Sequence, residues 1–184
     1  SDLGEWMTLI WGIQTNIIND WGIVFFPTSH PEIRKMTSEG YAPFLRSRSN
    51  YIHEFNKATE KIEELGFKPT TAKKKPDYSP FFYECPNDNY RIKLSCREDN
   101  EVLYFQGKCP IDNVDYSFSV SKDNIDLSAH IKNLYPRLDT NQALLQTIIP
   151  TYIRISGPGE INYNAQVIPA VQKLGFKFPL YVKY

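Results

Sequence analysis

Apolar residues recur at three- and four-residue steps through Leu3, Trp6, Ile10, Ile13 and Ile17, which traces one face of a helix. The chain therefore opens as a helix. The run "WGIVFF" at 21–26 is continuously apolar and ends at Pro27, a pattern that predicts a short strand buried on both faces of a parallel sheet. Thr28 and Ser29 offer N-cap oxygens, and Pro31 suits the first turn of a following helix. Between 44 and 65 the helical spacing returns, and Gly66 stands where a C-cap glycine belongs.

The tract "KPTTAKKKPDYSP" at 68–80 is rich in Pro, Lys and Thr and reads as a loop. Beyond it the period shortens. "FFYEC", "YRIKLSCR" and "EVLYFQGK" are strand-like and split by the turn sequences "PNDN" and "EDN", which predicts an antiparallel meander. "SKDNIDLSAHIKNL" and "NQALLQTII" are expected as helices, and "PTYIRIS", "EINYNAQVIPAVQKL" and "FPLYVKY" as a strand, a helix and a strand. Pro169 should bend that last helix. The expected fold is α/β: a Rossmann-like parallel sheet flanked by helices, with an inserted antiparallel β-meander. Its parts are a first core segment over 1–66, the loop and meander over 67–120, and a closing core segment over 121–184.

Composition narrows the function classes. At 184 residues and 21.4 kDa the chain suits one domain with an insertion. Lys plus Arg and Asp plus Glu both total 21, so a nucleic-acid partner is not expected, and Lys73, Lys74 and Lys75 read as a solvated loop. No apolar run approaches membrane-spanning length, which predicts no membrane partner. Cys85, Cys96 and Cys109 lack the short paired spacing of a zinc site or a redox dithiol; they are expected to be reduced thiols of a cytoplasmic protein, Cys85 and Cys96 as small packing residues of strands. The chain lacks an initiating Met and begins within an amphipathic pattern, and it is read as a piece of something longer. "EVLYFQG" at 101–107 matches the recognition pattern of a viral protease used to remove tags, but its strand-like flanks make it part of the meander.

Ligands of open α/β sheets collect at the C-terminal ends of the strands, where "PTSHPE" and "SGPGE" are expected to lie. In the second, Gly157 and Gly159 let backbone approach a bound group, Pro158 starts the helix, and the helix N-terminus favours an anion. Glu160 in that first turn equally satisfies the dipole by itself, so the turn reads as either a ligand wall or a cap. Tyr163 and Gln166 share the helix face beyond it. His30, Ser29 and Asn162 are secondary candidates. No metal ligand set and no catalytic nucleophile with its base is evident from spacing.

The stretch at 149–182 resembles the BshC family of bacillithiol biosynthesis, through Pro150, Thr151, Gly157, Pro158, Gly159, Glu160, Tyr163, Ala165, Gln166, Pro169, Gly175 and Pro179 in order. Weaker parallels cover "WGIVFFPTSHPEIRKM" and the meander. The resemblance implies a Rossmann-like core and a ligation of cysteine to glucosamine malate, with a nucleotide (ATP or ADP) and Mg²⁺ as cofactors of a full-length enzyme and none held by this stretch. Departures occur: Asn164 stands where the family carries an aromatic, and Leu145 and Gln146 where it carries Arg-Pro. The family's early Gly-Gln-Gln loop and Asp-His-Asp strand end have no counterpart here. The expectation is a segment of a cysteine ligase, inactive alone, whose turn helps hold a small polar anionic substrate and whose partners are the remainder of a longer chain and a homodimer mate. The alternative is a non-catalytic binding or assembly module on the same fold.

Overall fold

A computed structural model describes residues 3–28 and 30–184. Leu3–Gly12 form α1, continued by a π-helical stretch over Ile13–Ile18. No residue of α1 is buried, and Leu3, Trp6, Leu9 and Trp11 face outward. The expected strand at 21–26 does not form. A strand needs a neighbour to pair its backbone groups; here Asn16 substitutes for one, its Nδ2 donating to Ile23 O and its Oδ1 accepting from Ile23 N, both at 2.7 Å.

Pro31–Met36 form α2, with Pro31 in the first turn as expected. Its N-cap is His30, whose Nδ1 accepts from Glu32 N at 3.2 Å; the expected cap at Ser29 lies outside the described residues, and Thr28 is a turn residue. Tyr41–Arg46 (α3) and Arg48–Glu64 (α4) divide at Ser47. Gly66, at φ 81°, ends α4 with its N–H on Glu63 O and the Phe67 N–H on Ile62 O, a left-handed termination that glycine adopts without strain.

The strand-rich region forms two antiparallel sheets. β1 (Phe81–Glu84) lies between β2 (Arg91–Lys93) and β6 (Leu134–Pro136), and β4 (Val102–Lys108) lies between β3 (Ser95–Asp99) and β5 (Asp115–Ser121). Alternation places Leu103 and Phe105 inward on β4, and the Phe105 ring meets Phe81 and Phe118, each at 5.0 Å. Gly107 marks where the sheets touch: a Cβ there would stand 2.9 Å from Lys93 O.

The helix expected over 121–134 is a series of turns leading into β6. Asp126 accepts the Ser128 N–H at 2.8 Å, and His130 and Asn133 donate to carbonyls three residues back; short polar side chains that bond nearby backbone compete with helix in this way. Leu138–Ile148 (α5), Ile153–Ser156 (β7), Pro158–Lys173 (α6) and Leu180–Lys183 (β8) follow. β7 and β8 pair in parallel around α6, completing the expected strand, helix, strand unit, and α6 runs on through Pro169.

This pair is the only parallel pairing among the described residues. The mixed α/β composition agrees with expectation, but the chain forms short antiparallel sheets and one parallel pair rather than a broad parallel sheet. Ile153, Ile155 and Leu180 on the pair stay exposed. The buried core lies elsewhere, where Tyr41, Phe44, Tyr51 and Phe55 of the helices meet Phe81, Phe105, Val167 and Val171.

Candidate functional site

β7 ends at Ser156, and α6 begins at once. Gly157 is its N-cap, in extended geometry, and Pro158 its first residue. A Cβ on Gly157 would come 3.1 Å from Tyr184 Oη, so glycine lets the C-terminal tyrosine lie against the turn. Gly159, Glu160 and Asn162 are exposed, and Glu160 sits in the first turn. Ser156 Oγ, Asn164 Oδ1 and Tyr181 Oη are enclosed without a hydrogen-bond partner.

Deeper along α6 the two predicted face residues separate in role. Tyr163, four residues and roughly 6 Å along the axis from Gly159, lines a cleft of about 360 Å³ with residues 71–75, Asp77, Tyr78, Phe82, Lys93, Arg137, Leu138 and Asp139. Gln166 is fully buried. Its Oε1 accepts from the Thr70 and Thr71 N–H groups, both at 3.0 Å, while its Nε2 donates to Thr59 Oγ1 at 2.9 Å and to Thr71 O at 3.0 Å.

The loop that Gln166 holds is fastened along its length. Asn56 of α4 bonds both backbone groups of Lys74, and Arg48 donates to the Pro76 and Tyr78 carbonyls. Asn162 Nδ2 adds a contact to Lys68 O at 3.4 Å. An irregular segment anchored this firmly can hold its side chains in fixed places.

At the cleft floor Lys74 Nζ meets Asp139 Oδ2 at 2.5 Å, with only 9% and 2% of the two side chains exposed. Tyr78 and Tyr51 donate to the same oxygen at 2.9 and 3.2 Å, and Arg137 Nε stands 3.8 Å from Oδ1. Burial outweighs the pull of Asp139 and lowers Lys74 below the ordinary lysine range. Burial, with the Asp139 charge adding to it, pushes the hydroxyls of Tyr51, Tyr78 and Tyr163 upward, so they remain donors. Lys74 also stands 4.3 Å from the centre of the Phe55 ring.

Of the lysines expected in solvent, Lys73 and Lys75 are exposed along the cleft, Lys73 pairing with Glu60 at 3.1 Å, whereas the Lys74 side chain is turned inward to its floor. Their neighbours Asp139 and Arg137 were missed by sequence reasoning, because nothing in the local pattern of α5 announces a contact with residue 74. His30 is on the surface as a helix cap. Thr28 faces a separate cavity of about 200 Å³ with Gln146, Thr151 and Arg154, near the start of β7 rather than its end. Among the described residues, one side-chain group has metal-ligand character: Cys85, Asp88, Cys109 and Asp112, in the turns after β1 and β4.

Relatives carry the same stretch. The chain is 27% identical over 158 residues to proteins named "Putative cysteine ligase BshC" from Bacillus cereus (strain AH820) and Bacillus thuringiensis (strain Al Hakam), and 26% identical to one of the same name from Bacillus anthracis (strain CDC 684 / NRRL 3495). Each alignment covers 86% of this chain and 27% of the relative, so the chain spans about a quarter of the length of these relatives. The profile described as "Bacillithiol biosynthesis BshC, N-terminal Rossmann-like domain" matches residues 4–183, and with nearly the whole length covered the chain belongs to the BshC family.

Proposed function

We propose that this chain supplies part of the substrate site of a cysteine ligase of bacillithiol biosynthesis, binding a small polar anion of the glucosamine malate class. The turn at 157–160 forms one wall and the cleft behind Tyr163 the pocket. The carrying observation is charge. Lys73, Lys74, Lys75, Lys93 and Arg137 line the cleft against Asp77 and Asp139, in a chain whose formal net charge is zero. A walled cleft of one dominant sign concentrates ligands of the other. Lys74 is committed to Asp139 and Lys73 to glutamates, which leaves Lys75 and Lys93 as carboxylate contacts, joined by Arg137, whose Nε holds Asp139 Oδ1 only at 3.8 Å, with Tyr163 and Glu160 toward hydroxyl and amine groups.

Forming an amide from cysteine requires an activated carboxyl, which a nucleotide would supply. The turn at 157–160 does not fit a triphosphate: Pro158 has no N–H to offer, and the Glu160 carboxylate occupies the first turn. Activation accordingly belongs to other parts of a full-length enzyme, and this chain is inactive by itself. The uncovered apolar surfaces of α1 and of the β7–β8 pair suit packing against such parts. Those surfaces are also what an assembly module would use.

Calorimetric titration with malate, citrate, glucosamine malate, cysteine, ADP and ATP tests the reading. The expected result is saturable binding of the hydroxy acids, weakened about tenfold or more, some 1.4 kcal/mol, by Arg137→Ala and by Lys75→Ala, and measurably by Glu160→Ala. Absence of binding at millimolar ligand, or binding indifferent to all three variants, favours the assembly module.

A further inference from the structure

Two turns of this protein repeat one motif. Cys85, Pro86, Asn87, Asp88 and Asn89 after β1 are matched by Cys109, Pro110, Ile111, Asp112 and Asn113 after β4. They also fold alike. In each, the cysteine C=O accepts from the asparagine N–H, at 2.9 and 3.1 Å, and the cysteine N–H donates to the carbonyl five residues on, at 2.9 and 3.0 Å. Asn89 and Asn113 take left-handed φ values of 60° and 62°. Asp88 Oδ1 accepts from Tyr90 N at 2.8 Å and Asp112 Oδ1 from Val114 N at 3.0 Å.

That turn geometry uses one oxygen of each aspartate and turns the other toward the opposite motif. Cys85 Sγ lies 3.3 Å from Asp112 Oδ2, and Cys109 Sγ lies 3.2 Å from Asp88 Oδ2. The four ligand atoms all fall within 4.8 Å of one another. Both cysteines are fully buried and neither forms a disulfide. In a tetrahedral site with metal–sulfur and metal–oxygen bonds near 2.3 and 2.1 Å, neighbouring donors stand about 3.4–3.8 Å apart, so little contraction is needed.

The turn bonds account for the Oδ1 atoms and the backbone. Each thiol in its protonated form donates to the carboxylate of the opposite turn, which pairs the atoms two by two but leaves open why two such pairs, all able to bear negative charge, converge from two separate sheets. A divalent cation explains it. We propose that Cys85, Asp88, Cys109 and Asp112 form a closed structural Zn²⁺ site that clamps the sheet of β1, β2 and β6 to the sheet of β3, β4 and β5. On binding, the two thiols release their protons to solvent. The two thiolates and two carboxylates with Zn²⁺ then carry a formal charge of −2, as a four-cysteine zinc site does. Two thiolates select zinc over the hard cations Mg²⁺ and Ca²⁺. Outer partners are in place: Tyr116 Oη is 3.2 Å from Cys85 Sγ, and Asn87 Nδ2 donates to Asp112 Oδ2 at 2.7 Å.

The test is metal analysis of the whole chain purified in reducing buffer without chelator. One zinc per chain is expected, falling to background in Cys85→Ser, Cys109→Ser and Asp112→Asn but unchanged in Cys96→Ser, whose thiol is elsewhere in the core. Should the first variants fail to fold, the unaltered chain still decides. Chelation should lower its melting temperature, zinc should restore it, and Co²⁺ added to the stripped protein should give thiolate charge-transfer absorption and the intense visible bands of a tetrahedral site. A reduced chain that purifies without zinc and gives no thiolate–cobalt band overturns the proposal. Retention of zinc by Cys85→Ser and Cys109→Ser together, or a Cys85–Cys109 disulfide in reductant-protected peptide maps, does the same.

Discussion

Asp139 is 2% exposed, and its charge is balanced by Lys74 at 2.5 Å and by the hydroxyls of Tyr51 and Tyr78. Breaking a buried pair by removing one partner leaves the other charge unsolvated, at about 3–5 kcal/mol. Asp139→Ala should therefore lower stability by about that amount, a drop in melting temperature of roughly 6–20 °C. Lys74→Met with Asp139→Leu should recover much of the loss, since the charge is then gone from both sides. A loss under about 1 kcal/mol in thermal denaturation of Asp139→Ala would mean that water screens the pair as it does surface pairs. Of these residues the sequence identifies only type and position. Lys74 looks like its neighbours Lys73 and Lys75, and what distinguishes it is an acid on α5, 65 positions away by numbering. Tyr163 and Gln166 were legible as neighbours on one helix face, but their division into a cleft wall and a loop clamp depends on what that face meets.

α6 and the loop at 68–77 operate as a pair, and Gln166 is the connection. Replacing Gln166 by Ala removes four hydrogen bonds and strands the Thr70 and Thr71 N–H groups. At about 1–3 kcal/mol for an unsatisfied buried group, a total of roughly 2–4 kcal/mol is expected, along with faster hydrogen exchange at the Thr70 and Thr71 amides. Unchanged exchange there would show that Asn56 and Arg48 hold the loop unaided. Helices were the most legible elements: α1, α4, α5 and α6 follow the apolar period, because a helix closes its hydrogen bonds within its own segment. The strand expected over 21–26 and the helix expected over 121–134 fail for complementary reasons. The first has no neighbour to pair with, and the second is rich in Asp, Asn and Ser, whose side chains bond backbone locally. β7, α6 and β8 were readable together, since strand, helix and strand in close succession pack as a parallel unit.

The molecule as a whole keeps Tyr41, Tyr51, Tyr78 and Tyr163 in its interior with hydroxyls held above their ordinary value of 10.0, chiefly by burial. The folded state therefore retains protons that the unfolded state releases. Stability from these groups is complete below pH 10 and falls as pH rises past it, by up to about 1.4 kcal/mol per pH unit for each tyrosine. Lys74, lowered by burial, acts in the opposite sense only below its unfolded value of 10.5. Chemical denaturation between pH 9 and 11.5 should show a steepening loss, with the buried rings' share of the tyrosinate absorbance appearing only together with unfolding; ionisation of these rings in a still-folded protein would contradict their burial. No helix among the described residues is long and apolar enough to cross a membrane. The sequence by itself determined the family, the helices and the strand–helix–strand close, because each is written in local period or in an ordered set of residues. Only the tertiary structure decided how strands pair, that Lys74 and Asp139 share a floor, and that two Cys-Pro-x-Asp-Asn turns face one another. Those are contacts between distant segments, and their stability depends on pairing and burial at meetings that no local pattern encodes.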